Sequence, residues 1–304
     1  MLVPGVSIVK FVGERKERLA QYRQYIRTAA PDLIFSYLTA ANYYSVRASR
    51  GTATRVVTGI RNSKLPLTKH IADAILSRWG GVASVSNCES GKRHFTATGF
   101  KSSKIEVIPN CFDPIDEYRE RPEKDTVDVI TVGRFVAQKD YHTAIRAVAE
   151  AARNCQNLRF TIIGYGELEA QVRGWVGEAG INDITRILIN SDNITEELRN
   201  ADIYLSTSLF EGISNSIMEG MNADMPVVAT SVGDNEVLVE HGYNGYIDAT
   251  GDYVSMARHI VELASDASLR REMGRRSKQR LKANFTKELF AERYNELITK
   301  LLSR

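Results

Sequence analysis

The chain has 304 residues, 43% of them hydrophobic and 25% charged, with 40 Lys and Arg against 37 Asp and Glu for a net charge of +3. That length suggests two domains, the near-neutral balance argues against a nucleic-acid binder, and no apolar run approaches the roughly 18 residues of a spanning helix, which excludes an integral membrane protein. Three widely spaced cysteines (Cys88, Cys111, Cys155) make no disulfide framework, and the opening MLVPGVSIVKFVGERK is too short in apolar residues for a secretory signal, so a soluble cytosolic protein is expected.

Along the first part run short β-branched segments: SIVKF (7–11), DLIFSY (32–37), TRVVT (54–58), VASVS (82–86) and KIEVIP (104–109). Helical patterns lie between several of them, as in ERLAQYRQYIRTAA (17–30), with apolar residues at Leu19, Tyr22, Ile26 and Ala30. Strands separated by amphipathic helices predict βα units and a parallel sheet. The stretch Asn110–Asp128, with Pro114, Pro122 and the charged run DEYRERPEKD, reads as a linker. Six further strands follow: VDVITVG (127–133), LRFTIIG (158–164), ITRILI (184–189), ADIYLST (201–207), MPVVAT (225–230) and GYIDA (245–249). Helices are predicted over 142–153, 167–179, 195–200, 214–223 and 252–265. This is a doubly wound unit whose ligand belongs at the carboxyl ends of the strands. The tail after Ser268 has no strand pattern, and ELFAERYNELITKLL predicts a closing amphipathic helix.

The net charge conceals an asymmetry. Residues 1–120 hold 18 Lys and Arg against 10 Asp and Glu, a net +8 (18 − 10), which leaves −5 on the remainder. Anionic lipid headgroups or a phosphorylated ligand fit the basic part, and a solvated basic face without a partner fits it equally.

Three stretches at predicted strand ends carry chemistry. Gly133-Arg134-Phe135-Val136-Ala137-Gln138-Lys139 sets two cations five residues apart after a strand, suited to two phosphates, although such residues are commonly just solvated. Gly164-Tyr165-Gly166-Glu167 allows a tight turn or a close approach to a ligand, without a dinucleotide fingerprint. In SLFEGISNSIMEGMNADMPVVATS (208–231), Ser214 and Asn215 can cap a helix whose free N–H groups favour an anion. Glu219 lies eight positions after Glu211; Ser216-x-x-Glu219 also fits a capping box, in which Glu219 would serve only its own helix.

Taken together, the pair Glu211…Glu219, the upstream Gly133-Arg134…Lys139, PVVAT-x-VG (226–233), EVLVEHGYNGYI (236–247) and Ile108-Pro109-Asn110-Cys111-Phe112-Asp113 resemble retaining glycosyltransferases of family 4. The resemblance covers residues 100–300 well and 30–100 more loosely. It implies the GT-B fold: α/β, two Rossmann-like domains with parallel sheets and a C-terminal helix closing back. The boundaries expected are 1–115 for a partial acceptor-side domain, 116–126 for a linker, 127–285 for the nucleotide-sugar domain and 286–304 for the closing helix.

The resemblance also implies the activity: transfer of a hexose or N-acetylhexosamine from a nucleotide sugar, with UDP as the expected nucleotide, to a glycan or polyprenyl-diphosphate-linked acceptor of envelope polysaccharide. Exopolysaccharide and lipopolysaccharide synthesis are the settings it suggests. Arg134 and Lys139 would bind the diphosphate and stabilise the charge on the departing nucleotide. Glu219 would accept hydrogen bonds from the ribose, and Glu211 would hold a sugar hydroxyl facing the reacting carbon. Gly133 would line the cradle, and the N–H groups of Ile213, Ser214 and Asn215 would hold the distal phosphate and sugar. The family is thought to let the leaving phosphate guide front-face attack, unlike the two-carboxylate logic of glycoside hydrolysis. With no Asp-x-Asp in the chain, neither metal nor cofactor is expected.

The chain departs from the family pattern at Gly220, Asn222 and Asp224, and at Cys111, read as a small hinge residue in place of a glycine. It starts in what resembles the middle of a first domain, so a shortened domain is expected, and a non-catalytic donor-binding remnant or partner subunit is the competing reading. A nucleotide-sugar epimerase of the same fold is a third. Within the first part, Arg61-Asn62-Ser63 and Ser86-Asn87 fall where the family approaches acceptor and interdomain surfaces, while His70 and His94 read as surface or packing residues. The location implied is cytoplasmic, peripheral on the inner face of an anionic membrane.

Overall fold

The computed structural model describes residues 6–60, 67–121 and 124–303, and its backbone divides into two units. The first comprises residues 1–108 together with 294–304; the second spans 109–293.

In the first unit the elements run α1 (Arg15–Ala29), β1 (Leu33–Tyr37), α2 (Thr39–Ala48), β2 (Arg55–Ile60), α3 (Leu67–Trp79), β3 (Ala83–Ser86), α4 (Glu89–Ala97) and β4 (Ile105–Val107). The strands form one parallel sheet in the order β1-β2-β3-β4. β3 is buried along its whole length, as a strand covered on both faces must be. The expected strand at 7–11 is absent. Residues 6–12 lie in no strand; Phe11 instead packs on Tyr22 and Tyr25 of α1, with ring centroids 5.2 and 5.9 Å away. A short apolar run becomes a strand only where a neighbour supplies hydrogen-bond partners, and β1 is paired to β2 alone. Val6, Ile8, Val9 and Val12 are left exposed.

The second unit contains β5 (Val127–Val132), α5 (Tyr141–Ala152), β6 (Leu158–Gly164), α6 (Glu169–Glu178), β7 (Thr185–Ile189), α7 (Ile194–Asn200), β8 (Ile203–Ser206), α8 (Asn215–Asn222), β9 (Val227–Thr230), α9 (Asn235–Leu238), β10 (Gly245–Asp248), α10 (Tyr253–Ser265) and α11 (Ala267–Asn284). Its six strands are parallel in the order β10-β9-β8-β5-β6-β7. The chain winds outward from β5 through β6 to β7, then returns to the other side of β5 as β8. The loops leaving β5 and β8 therefore open at the switch point, where doubly wound sheets bind their ligands. Val129, Phe160, Ile162, Ile203, Leu205 and Val228 are fully buried among the apolar faces of α5 and α10. The last helix, α12 (Lys287–Leu302), begins in the second unit, and from Tyr294 onward it belongs to the first. There the Tyr294 ring meets Phe35 at 5.6 Å, and Lys300 pairs with Glu106.

Described residues of the stretch expected as a linker are held by hydrogen bonds and an ion pair. The N–H of Asp116 donates to Asn222 Oδ1 at 2.9 Å, that of Arg119 to Asp224 Oδ2 at 3.1 Å, and the Arg121 guanidinium to the Ala223 carbonyl. Lys124 reaches Asp202 at 3.0 Å and the Asn200 carbonyl at 2.6 Å. Arg121 and Lys124 thereby satisfy carbonyls at the C-terminal ends of α8 and α7. Asn222 and Asp224, two of the departures from the family pattern, are the residues that receive this strap. Asp224 also pairs with the buried Lys278 at 3.2 Å, and burial raises the Asp224 carboxyl and lowers the Lys278 ammonium.

Candidate functional site

The loop after β5 carries Gly133 to Lys139. Phe135 is buried against Tyr141 at 5.0 Å, anchoring the loop while Arg134 beside it stays exposed. No side-chain partner holds Arg134 among the described residues. A single 3-10 turn (Ala137–Lys139) then leads into Asp140, which caps α5 from the left-handed region at φ 45°. Its carboxylate accepts from the Thr143 N–H and hydroxyl at 3.3 and 2.6 Å, which offsets part of the roughly 1–2 kcal/mol that conformation costs.

The glycines of 164–166 have a different use from the ligand approach considered for them. A Cβ on Gly164 would lie 2.0 Å from the Gly133 carbonyl, and one on Gly166 would lie 2.5 Å from that of Phe135. They let the β6 loop lie against the β5 loop, where the Phe135 N–H donates to the Tyr165 carbonyl at 2.7 Å.

The loop after β8 carries Thr207 to Ile213, and polar contacts tie it to its neighbours. Thr207 Oγ1 donates to the carbonyls of Lys139 and Asp140 at 3.0 and 2.9 Å. The Leu209 N–H donates to the Gln138 carbonyl, and the Gln138 amide to that of Phe210, both at 2.8 Å. Thr230 Oγ1, at the end of β9, donates to the Ser208 carbonyl at 2.6 Å. Gly233, at φ 59°, lies so near this loop that a Cβ would meet the Gly212 carbonyl at 2.4 Å and that of Glu211 at 2.6 Å. The structure therefore presets the loop's shape.

Lys139 and Glu211, 72 positions apart in sequence, meet at the centre of this arrangement. Lys139 Nζ lies 2.6 Å from Glu211 Oε1, with side chains 18% and 11% exposed. Ser208 Oγ donates to the same oxygen at 2.8 Å. Ser214 caps α8, accepting from the Ile217 N–H at 3.4 Å, and the N–H groups of Ile213, Ser214 and Asn215 have no acceptor among the described residues. The Asn215 side chain is held by Asn110 at 2.9 Å. With Ser214 at the cap, Glu219 falls in the second turn of α8, so the capping-box alternative is excluded. Its carboxyl makes no hydrogen bond among the described residues. Burial raises it above the ordinary glutamate range, opposed by the nearby Lys139 charge.

Five of the predicted groups thus surround one free helix end: Lys139, Glu211, the N–H groups of Ile213 and Ser214, and Glu219 one turn in. Arg134 lies on the adjoining loop. Chemically, the arrangement offers a lysine ammonium, a row of amide donors and two carboxyl groups. Among the described residues no group of three His, Cys, Asp or Glu could hold a metal ion.

The model of the family described as Glycosyl transferases group 1 matches residues 114–280, more than half of the chain and nearly all of the second unit. The chain belongs to the group 1 glycosyl transferases. Its relatives include the lipopolysaccharide core biosynthesis glycosyltransferase LpsE of Rhizobium meliloti, 27% identical over 60% of this chain and 53% of that protein. Another is the amylovoran biosynthesis glycosyltransferase AmsK of Erwinia amylovora, 29% identical over 45% of this chain and 35% of that one. The chain thus spans about half the length of these relatives, or less. Among solved structures, Anabaena Alr3699/HepE in complex with UDP superposes with a TM-score of 0.83 at 20% identity, covering 94% of this chain and 82% of that one. The fold is GT-B.

Elsewhere in the chain the remaining sequence candidates scatter. His70 stacks on Phe95 at 5.4 Å within a cluster that includes His94 and Phe100, its Nε2 lying 3.2 Å from the Thr98 carbonyl. The Ser86 hydroxyl is spent on the turn into α4, donating to the Cys88 carbonyl at 2.9 Å. Asn87 Oδ1 is buried without a hydrogen-bond partner. Arg61-Asn62-Ser63 lies outside the described residues. Cys111 is a free, half-buried thiol. Among the described residues no helix is long and apolar enough to cross a membrane. Sequence reasoning missed Thr207, Ser208 and Thr230; their one visible signal is a run of hydroxyl residues at strand ends, three residues before Glu211 in the case of Ser208.

Proposed function

We propose that this chain is a retaining, family 4-type hexosyltransferase that moves a hexose or N-acetylhexosamine from a UDP-sugar to a glycan or polyprenyl-diphosphate-linked acceptor. The observation that carries the reading is the meeting of Lys139 and Glu211 at the sheet's switch point, beside the unoccupied N–H groups that open α8. A cation and a helix N-terminus suit a diphosphate, and a carboxylate beside them suits sugar hydroxyls. The biosynthetic roles named for LpsE and AmsK, and UDP in the HepE crystals, support the polysaccharide setting and the nucleotide.

In this reading Arg134 and Lys139 bind the diphosphate, Ile213, Ser214 and Asn215 hold its distal end, Glu219 takes the ribose and Glu211 a sugar hydroxyl. The bond from the anomeric carbon to the β-phosphate oxygen breaks while the acceptor oxygen bonds the same face. The acceptor's proton passes to the departing phosphate. Positive charge preorganised around that phosphate lowers the barrier without a metal. The first unit carries 19 Lys and Arg against 7 Asp and Glu, a net +12 (19 − 7), which supports an acceptor presented at the cytoplasmic face of an anionic membrane.

Incubating the protein with UDP-glucose, UDP-galactose and their N-acetyl counterparts, with and without chelator, tests this reading. UDP release with product of unchanged anomeric configuration, insensitive to chelator, is expected. Inverted product, or activity restored only by manganese, refutes retention or metal independence respectively. UDP binding without turnover of any donor, alike in wild type and Glu211→Ala, returns the chain to a non-catalytic role.

A further inference from the structure

We infer that Ser208 is a positioning residue: with Lys139 it claims one oxygen of Glu211 and presents the other to the sugar. The inference rests on the transferase reading above and adds a residue to it. Glu211 Oε1 receives both the Lys139 ammonium, at 2.6 Å, and the Ser208 hydroxyl, at 2.8 Å; Oε2 receives neither. A glutamate has three side-chain torsions, the last a broad two-fold rotor, so an untethered carboxylate exchanges its oxygens freely. Two donors converging on one oxygen suppress that exchange, and charge-assisted bonds are the stronger kind.

The tethers are themselves fixed. Ser208 is 1% exposed, and its carbonyl is held by Thr230 Oγ1 at 2.6 Å. Thr207 holds the carbonyl of Lys139 at 3.0 Å. Adjacent residues leaving β8 thus serve the two partners of one ion pair, Thr207 through the Lys139 backbone and Ser208 through the Glu211 side chain. Lys139 alone is an inadequate tether, because the reading also assigns it to the diphosphate. When a donor sugar nucleotide draws the ammonium toward its phosphates, the Ser208 hydroxyl remains as the bond that keeps Oε2 forward.

Ser208→Ala and Ser208→Thr test the assignment, with UDP affinity by calorimetry, donor KM and kcat for transfer, and melting temperature measured for each. UDP has no sugar for Glu211 to hold, so its affinity in Ser208→Ala should stay within about twofold of wild type. The kcat should fall by about 10–150-fold, the range for losing a hydrogen bond to a charged group, with a much smaller change in KM. Ser208→Thr, which keeps the hydroxyl, should recover most of the rate. An unchanged kcat in Ser208→Ala overturns the inference. So does a parallel collapse of UDP affinity and melting temperature in both variants, which would make Ser208 a packing residue. If the wild type neither binds UDP nor turns over any UDP-sugar, the transferase reading itself has failed, an outcome distinct from either.

Discussion

Gly220 lies inside α8, and replacing it with alanine sets two effects of opposite sign against each other. Alanine in a helix interior is favoured over glycine by about 1 kcal/mol, so propensity alone predicts a more stable protein. The packing predicts otherwise. A Cβ on Gly220 would lie 2.5, 2.7 and 2.8 Å from Cγ, Cδ2 and Cβ of Tyr204. That ring is wholly buried in β8, its hydroxyl directed to the Val132 carbonyl at 3.4 Å, and so has no room to withdraw. Forcing a methyl into a filled core costs about 1–3 kcal/mol, and overlap with three atoms of a fixed ring belongs in the upper part of that range. Gly220→Ala should therefore destabilise the second unit by about 1–2 kcal/mol net, a melting shift of about 2–8 °C for a unit of this size. Because α8 is what must move, UDP affinity should fall as well. Urea unfolding and calorimetry measure both. In a Tyr204→Ala background, where Cγ and Cδ2 are gone and only the Cβ contact remains, Gly220→Ala should cost less than in the native background. A Gly220→Ala protein as stable as wild type in the native background would refute the close contact.

Two further changes test the electrostatics and the loop. Glu219 is raised by burial, so the native state binds its proton more tightly than the unfolded chain does; the resulting stability is present below the ordinary value of 4.5 and lost as pH rises through the folded value. Glu219→Gln should accordingly be more thermostable than wild type at pH 7, with the difference vanishing below about pH 4.5, while UDP binding weakens; melting curves across pH 4–8 check the sign. Gly233→Ala should lose about 1–3 kcal/mol in urea unfolding, since a side chain at φ 59° is strained and meets the Glu211 and Gly212 carbonyls, and donor turnover should fall with it.

The second unit was largely legible because each of its strands ends in a residue that announces a turn. Gly133, Gly164 and the Ser-Thr-Ser run at 206–208 separate strand from helix without ambiguity, and alternate helices fix a parallel sheet. The first unit was harder. SIVKF has the same alternation as a strand, but alternation reports only that one side is apolar, and Phe11 meets that need by packing on α1. That Arg121 and Lys124 meet the carbonyls ending α8 and α7 is not visible in the sequence, because charge alone does not reveal whether a helix end waits to receive it. Ser208 shows a third kind of limit: its role depends on a side chain three residues on and a lysine 69 positions back, which only folding brings together.

The central claim is that the loops leaving β5 and β8 form a preorganised cradle for a nucleoside diphosphate, with Lys139 as its half-buried cation. Titration of UDP by calorimetry into wild type and Lys139→Met tests it most directly. One site with a Kd below about 1 mM is expected in the wild type, weakened about 10–150-fold in the variant, the value of a hydrogen bond to a charged group. UDP binding that is absent from the wild type, or equally strong without Lys139, would contradict the account.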